Sequence, residues 1–140
     1  MKNIRAKRET SREYLMKLMY QTYISNGDIT DLENEMEEFL QNNKEYIVSR
    51  YKELVLTYSD KDVDFEGLSL EKCVDRVYLN EMCDILRFKI DYINELIENN
   101  AKNWSINRFS KIDLAILQIA IAEILSDLNI PDRVSISSFI

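Results

Sequence analysis

Apolar side chains recur every three to four positions in several stretches of the chain, the spacing of one face of an α-helix. The first stretch follows Thr10 and Glu13, which have the spacing of a capping box, and it ends before Gly27. The pattern therefore predicts a first helix between these two signals. Its apolar stripe should enter the core and leave Arg12 and Lys17 on the solvated side.

Three further segments show helical spacing. Thr30 and Glu33 form a second capping-box pattern ahead of an acidic helix, and residues 46–58 predict a third helix. No Gly or Pro interrupts residues 69–99, so this stretch predicts one long amphipathic helix or two nearly collinear ones. The expected buried positions are Leu32, Met36, Phe39, Leu40, Ile47, Tyr51, Leu54, Val55, Tyr58, Leu79, Met82, Cys83, Leu86, Ile90, Ile93 and Ile97.

The last helical segment is apolar on almost every side. Ser110 and Asp113 have capping spacing, and eleven of the fourteen residues at 112–125 are apolar. The polar residues Asp113, Gln118 and Glu123 are spaced by five, about 140° around a helix each time, so they form no polar stripe. This pattern predicts a central helix covered nearly all round, which Pro131 ends.

Composition agrees with one all-α domain. The 140 residues are 46% hydrophobic and 31% charged, with only two Gly and one Pro, so turn-forming residues are scarce. No run of about 18 apolar residues is present, and the N-terminus opens with charges instead of the apolar core of a secretory signal. We expect no membrane span and a cytoplasmic protein.

Few residues offer catalytic or metal chemistry. The chain has no His, which removes His-based triads and most zinc sites. Cys73 and Cys83 would point in different directions on one helix, so we predict two buried free thiols. Asp60, Asp62 and Asp64 lack the Gly and the distal Glu of a calcium loop at the required offsets. We therefore predict no catalytic residue, no metal site and no cofactor.

A net charge of −7 hides a basic N-terminal segment. Residues 1–17 hold six Lys or Arg and two Glu, a net charge of +4, so the other 123 residues carry −11. Such a segment can attract phosphates by counterion release even on an acidic protein, because charges are screened within about 8 Å at physiological salt. Charge alone leaves two interpretations open, a nucleic-acid-binding arm and a solvated, disordered tail.

Two segments, taken together, resemble the NusB family of transcription antitermination factors. Residues 8–21 resemble its arginine-rich first helix, which ends in a Leu-Tyr or Met-Tyr pair. Residues 103–125 resemble its C-terminal signature, and residues 92–97 fit the segment just upstream. The ordered signature is a Trp, an Arg, an Ile-Asp pair, a Leu, a Glu and a closing Ile-Pro, here Trp104, Arg108, Ile112, Asp113, Leu117, Glu123, Ile130 and Pro131.

The resemblance implies a helical bundle of two subdomains within one domain at 1–140, with N-terminal helices and a basic arm at 1–68 and C-terminal helices at 69–140. It implies a non-enzymatic factor that binds single-stranded box A-type RNA together with the ribosomal protein NusE. This occurs in an RNA polymerase antitermination complex serving rRNA transcription. Single-strand readers combine positive charge with aromatic stacking.

The resemblance also implies candidate RNA contacts. Arg8, Arg12 and Tyr20 match the family positions, whereas Arg5 and Lys7 are candidates by charge alone. For Tyr20, packing in the core at the helix end is an equal alternative. A helical protein-interaction module without RNA affinity is the alternative for the whole chain, and it predicts that the arm is only a tail.

The chain also departs from the family pattern. Gln118 replaces the usual Arg, Ala122 the usual Tyr and Ile85 a small residue, and residues 41–72 are longer than the usual linker. Family members continue with two more helices, so we expect a C-terminally truncated or divergent member that lacks them. One face of the central helix would then be exposed, unless residues 41–72 or a partner in a homodimer cover it.

Overall fold

The computed structural model describes residues 4–58, 65–101 and 106–126, and within these ranges all regular structure is helical. A single 3-10 turn at Ile106–Arg108 precedes the last helix. The all-α prediction is therefore confirmed. In chain order the helices are α1 (Ile4–Ile24), α2 (Leu32–Asn42), α3 (Lys44–Thr57), α4 (Leu70–Cys73), α5 (Arg76–Asn100) and α6 (Lys111–Leu125).

α1 includes most of the predicted basic arm. Thr10 lies inside this helix, where its hydroxyl donates to the Ala6 carbonyl at 2.7 Å, and the Ser11 hydroxyl donates to the Lys7 carbonyl at 2.8 Å. A hydroxyl that bonds back four residues is compatible with a helix interior. The predicted capping box at Thr10 is therefore wrong, and so is a disordered tail for residues 4–17.

The end of α1 follows the prediction. Asn26 adopts a left-handed backbone with φ of 59°, its N–H donates to the Tyr23 carbonyl at 3.1 Å, and the Gly27 N–H donates to the Thr22 carbonyl at 2.9 Å. These two bonds form a Schellman motif, which satisfies carbonyls that the helix leaves unpaired. The chain then turns into α2.

α2 and α3 lie where the spacing predicts them, but α2 is not capped by Thr30. The Thr30 N–H and hydroxyl both donate to the Asp28 carboxylate. The hydroxyl therefore stabilises the turn before α2 and does not cap the helix. Asp31 is the N-cap residue and its side chain makes no capping bond. The predicted core positions of both helices are buried, except Phe39 and Tyr58, which are half-buried.

The segment predicted as one long helix or two nearly collinear ones is divided into two helices. α4 ends at Cys73, Val74 is extended, and the Asp75 carboxylate accepts the Tyr78 N–H at 3.0 Å as the N-cap of α5. α5 itself is kinked at Lys89, which has φ of −118° and ψ of 16°. The N-capping carboxylate offers the backbone an alternative to a continuous helix. Cys73 and Cys83 are buried free thiols, as predicted.

α6 is the most apolar helix, as its composition predicts, but it is not covered all round: Ile112 and Ile124 are 41% and 46% exposed. The Ser110 hydroxyl accepts the Asp113 N–H at 3.1 Å, which confirms this N-cap. α6 packs most extensively against α5 and α1, and its buried apolar residues are Leu114, Ala115, Ile119 and Ala122. The predicted stop at Pro131, the signature residue Trp104 and the acidic segment 60–64 lie outside the described residues. The expectation of missing family helices stays a prediction.

Candidate nucleic-acid interface

The candidate RNA contacts occupy two ends of α1. Arg5, Lys7, Arg8 and Arg12 fall within the first half of the helix, while Tyr20 lies near its C-terminal end. Twelve residues separate Arg8 from Tyr20, which is about 18 Å along the helix axis. Tyr20 is 38% exposed, so its ring is accessible rather than in the core. The structure therefore brings the four cations together and sets Tyr20 apart from them.

Arg5 is the most accessible of the four cations, with a side chain 69% exposed. Its Nε lies 3.5 Å from the Glu9 carboxylate, and its guanidinium carbon lies 4.1 Å above the Tyr58 ring. The Tyr58 hydroxyl donates to Glu9, so helices α1 and α3 are linked at this point. Burial, together with the Glu9 charge, raises the pKa of Tyr58 and keeps it a donor.

Arg8 contacts the junction between α4 and α5. Its guanidinium lies 3.4 Å from the carboxylate of Asp75, the residue that caps α5, and 5.9 Å from the centre of the Tyr78 ring. One turn further along α1, the Ser11 hydroxyl accepts the Asp75 backbone N–H at 2.8 Å. Both side chains thus fix α1 against the start of α5, and 27% of the Arg8 side chain remains exposed.

Arg12 is buried, and the prediction that it lies on the solvated side is wrong. Only 3% of the residue is exposed, its Nε donates to the Glu123 carboxylate at 2.7 Å, and its Nη2 lies 2.6 Å from the same oxygen. The Tyr78 hydroxyl donates to that oxygen at 2.8 Å. A carboxylate on the central helix holds the cation in the interior, because a buried charge is costly unless it is paired. Lys17 is exposed, as predicted.

Tyr78 completes this buried network. Burial and the charge of Glu123 raise the pKa of Tyr78 well above its ordinary value. The phenol therefore stays protonated and continues to donate to the carboxylate. The network joins α1, α5 and α6, so the position of the basic helix depends on the central helix.

A second polar network joins the other ends of the same three helices. Gln118 is 1% exposed; its amide oxygen accepts the Tyr23 hydroxyl at 2.7 Å, and its amide nitrogen donates to Asn94 at 2.8 Å. Burial raises the pKa of Tyr23 to about 12. Gln118, which departs from the family pattern, is therefore a core residue hydrogen-bonded at both its amide oxygen and its amide nitrogen.

Sequence reasoning missed Asp75 and Tyr78 as partners of the basic helix. Both lie inside the uninterrupted segment 69–99, where Tyr78 resembles any aromatic core residue. Glu123 gave a signal, because a carboxylate in an apolar central helix needs a partner. Nothing in the local pattern identified Arg12 as that partner, since 111 positions separate the two residues.

The part of the chain that the structure describes offers neither a metal site nor a membrane-spanning helix. No group of three or more Cys, Asp or Glu side chains there could hold a metal ion. No described helix is long and apolar enough to cross a membrane.

The structure defines an all-helical protein whose basic first helix is fixed to an apolar central helix by a buried ion pair. The chain belongs to the NusB family, whose family model matches residues 9–140. This confirms the resemblance and the NusB type of helical fold. Family membership also confirms the prediction of a protein that is not an enzyme.

Similar curated proteins come from several clostridia, and each carries the name transcription antitermination protein NusB. The protein of Clostridium botulinum strain Kyoto is 36% identical over 133 residues, covering 95% of this chain and 82% of the relative. The Clostridium tetani protein is 34% identical over 131 residues, with 94% and 80% covered. The Clostridium novyi protein is 31% identical over 133 residues, with 95% and 80% covered. No solved structure matches the chain.

Proposed function

We propose that this protein is a cytoplasmic transcription antitermination or termination factor. It binds box A-type single-stranded RNA together with the ribosomal protein NusE, within an RNA polymerase antitermination complex that supports rRNA transcription. The observation that carries the proposal is the family match over residues 9–140, joined by relatives named transcription antitermination protein NusB.

The basic half of α1 is the proposed RNA surface. Arg5 and Lys7 are its main phosphate contacts, Arg8 adds a partly exposed guanidinium, and Tyr20 supplies a ring for stacking. Arg12 has almost no surface left for a phosphate, so we assign it a supporting role. It holds α1 on α6 and thereby sets the orientation of the other cations.

We also propose one RNA-binding domain over residues 1–140, with a division near residue 68. Helices α1 to α3 fall before the division and α4 to α6 after it. The packing of α1 against α6 supports a single domain, because the first helix contacts the last described one. A homodimer through the exposed side of α6, where Ile112 and Ile124 are 41% and 46% exposed, stays an alternative for covering that helix.

One observation favours the alternative of an interaction module without RNA affinity. Each arginine of α1 has a carboxylate partner within the protein: Glu9 for Arg5, Asp75 for Arg8 and Glu123 for Arg12. In that interpretation the arginines stabilise the fold and do not contact RNA. Replacement of accessible cations would then leave all binding unchanged.

The experiment is a titration of fluorescent box A-type RNA with the full chain, alone and with NusE. An Arg5→Ala/Lys7→Ala variant removes two accessible cations, and Lys44→Ala/Lys111→Ala removes two exposed cations elsewhere. At 0.1 M salt we expect the first variant to bind roughly 25-fold more weakly, since each phosphate contact to a single strand contributes about 0.7 to the salt slope. The control should bind like the wild type, and NusE should tighten binding. A folded wild type that binds no RNA even with NusE would contradict the RNA-binding proposal, and the protein-interaction module would be the remaining interpretation.

A further inference from the structure

An aromatic ring at the end of α3 lies against the most accessible cation of α1. Tyr58 is the C-cap residue of α3, and its backbone N–H donates to the Leu54 carbonyl at 3.0 Å. Tyr58 is half-buried, and the guanidinium carbon of Arg5 lies over its ring, 4.1 Å from the centroid. A guanidinium over an aromatic face at this distance makes a cation–π contact. Arg5 and Tyr58 are therefore in direct contact across two helices.

Glu9 holds both members of this contact. Its carboxylate accepts the Tyr58 hydroxyl and lies 3.5 Å from the Arg5 Nε, one turn away on α1. The side chain of Glu9 is 23% exposed, whereas that of Arg5 is 69% exposed. The ring and the carboxylate thus restrain the guanidinium, and most of the arginine side chain still faces solvent.

The position of Tyr58 beside α1 is fixed by the packing of the two helices. α3 packs against α1, and a second link joins them where Arg50 Nε donates to the Glu13 carboxylate at 3.0 Å. Glu9 and Glu13 are one turn apart on α1, so two neighbouring carboxylates hold α3. The ring of Tyr58 therefore belongs to a packed helix pair.

Two other tyrosines near the basic helix do not take this place. Tyr20 lies fifteen positions from Arg5, which is about 22 Å along the helix axis. Tyr78 lies 5.9 Å from the guanidinium carbons of Arg8 and Arg12, but it is fully buried. Of these three tyrosines, Tyr58 is the one that contacts an exposed arginine of the proposed RNA surface.

We propose that Tyr58 is a positioning residue for RNA binding, which holds the Arg5 guanidinium in place for a backbone phosphate. This inference rests on the proposed function and adds a residue of α3 that acts through Arg5. A side chain that is ordered before binding loses less conformational entropy when the ligand binds. A guanidinium also needs a defined orientation to form two parallel bonds to one phosphate, so its restraint should raise the affinity for RNA.

The test is a double-mutant cycle on the full chain, with binding of a fluorescent box A-type RNA oligonucleotide measured at about 0.1 M salt. We expect Arg5→Ala to bind about 5-fold more weakly, the loss of one phosphate contact. Tyr58→Leu should bind about 3-fold more weakly, because Arg5 stays charged but unrestrained. Arg5→Ala/Tyr58→Leu should again lose about 5-fold, and not the roughly 15-fold of two independent contacts.

Three further variants separate positioning from other effects. Tyr58→Phe keeps the ring beside the guanidinium and should bind within about 2-fold of the wild type. Arg5→Lys leaves α3 untouched and keeps the charge without the planar guanidinium, so we expect a loss of about 3-fold. Tyr46→Leu is the matched control, since Tyr46 is a tyrosine of the same helix and is 72% exposed. Circular dichroism verifies the helical content of each variant, and a loss of fold would weaken binding in the Arg5→Ala background as well.

Three results would overturn the inference and leave the proposed function intact. In the first, Tyr58→Leu or Arg5→Lys binds RNA as tightly as the wild type. In the second, the losses of the single variants multiply in Arg5→Ala/Tyr58→Leu, which would show that Tyr58 does not act through Arg5. In the third, Tyr46→Leu loses as much affinity as Tyr58→Leu. A folded wild type without RNA affinity would overturn both proposals.

Discussion

Arg12 and Glu123 show how a single pair of residues fixes the basic helix. The pair is buried, and the Tyr78 hydroxyl shares the carboxylate oxygen that accepts from Arg12. From the sequence, Arg12 belongs to a basic segment and has no feature that separates it from Arg8. Its burial depends on a contact over 111 positions, so the local pattern could not reveal it.

Removal of the carboxylate should destabilise the protein strongly. Glu123→Ala leaves the guanidinium of Arg12 buried without its partner, and breaking such a pair costs about 3 to 5 kcal/mol. Urea unfolding followed by circular dichroism measures the loss. The control is Glu13→Ala, because Glu13 pairs with Lys17 and Arg50 at partly exposed sites, where ion pairs contribute less than about 1 kcal/mol. Equal losses in the two variants would contradict a buried pair.

The raised pKa of the Cys83 thiol predicts that the free energy of unfolding depends on pH. Burial, followed by the charges of Glu33 and Asp84, raises the pKa of Cys83 from 9.0 to about 12. The raised pKa contributes stability that is complete below pH 9 and is lost as the pH rises toward 12. Between pH 7.5 and 10, we expect the unfolding free energy of the wild type to fall by about 1 kcal/mol more than that of Cys83→Ala. Parallel falls in urea unfolding would contradict this.

At the scale of elements, the sequence predicts helices better than their ends. Apolar spacing located α2, α3, α5 and α6, but two of three proposed capping boxes are wrong. Thr10 bonds to the turn before it, and Thr30 bonds to Asp28. Hydroxyl side chains can satisfy either a helix end or a neighbouring carbonyl or carboxylate, and the surrounding packing decides between these options. Only the Ser110 cap is confirmed.

The N-cap of α5 should contribute more to the free energy of unfolding than the N-cap of α4. Asp75→Ala removes the bond to the Tyr78 N–H and the ion pair with Arg8, so we expect a loss of about 1 to 2 kcal/mol in unfolding free energy. Asp75→Asn keeps an acceptor for the cap and should lose less. Ser69→Ala is the matched control, because Ser69 precedes α4 without a side-chain capping bond. A loss in Ser69→Ala as large as in Asp75→Ala would contradict this assignment.

At the scale of the whole molecule, composition predicts which helix is central but not which helices surround it. Eleven apolar residues in fourteen predict that α6 is covered, and α5 and α1 cover one side of it, while Ile112 and Ile124 stay exposed. The basic segment of the candidate site was equally clear from charge. The sequence did not show which of these cations remain available, because their carboxylate partners are far apart in the chain: Glu9 on α1, Asp75 just before α5 and Glu123 on α6.

The supporting role of Arg12 predicts that its charge is dispensable for RNA binding. An Arg12→Met/Glu123→Gln variant removes both buried charges together, so that neither is left unpaired, and keeps an amide oxygen as the acceptor for the Tyr78 hydroxyl. We expect it to fold and to bind box A-type RNA within about 2-fold of the wild type, with an unchanged salt slope. A folded double variant that loses a slope of about 0.7 would show instead that Arg12 contacts a phosphate.

The salt dependence of box A-type RNA binding by the wild-type chain tests the central claim most directly. Arg5, Lys7 and Arg8 are the cations assigned to phosphates, and each contributes about 0.7 for a single strand, so the logarithm of the affinity should fall against the logarithm of salt with a slope of about −2. NusE should raise the affinity at every salt concentration. A slope near zero, or no binding by a folded sample with NusE present, would contradict an RNA-binding antitermination factor.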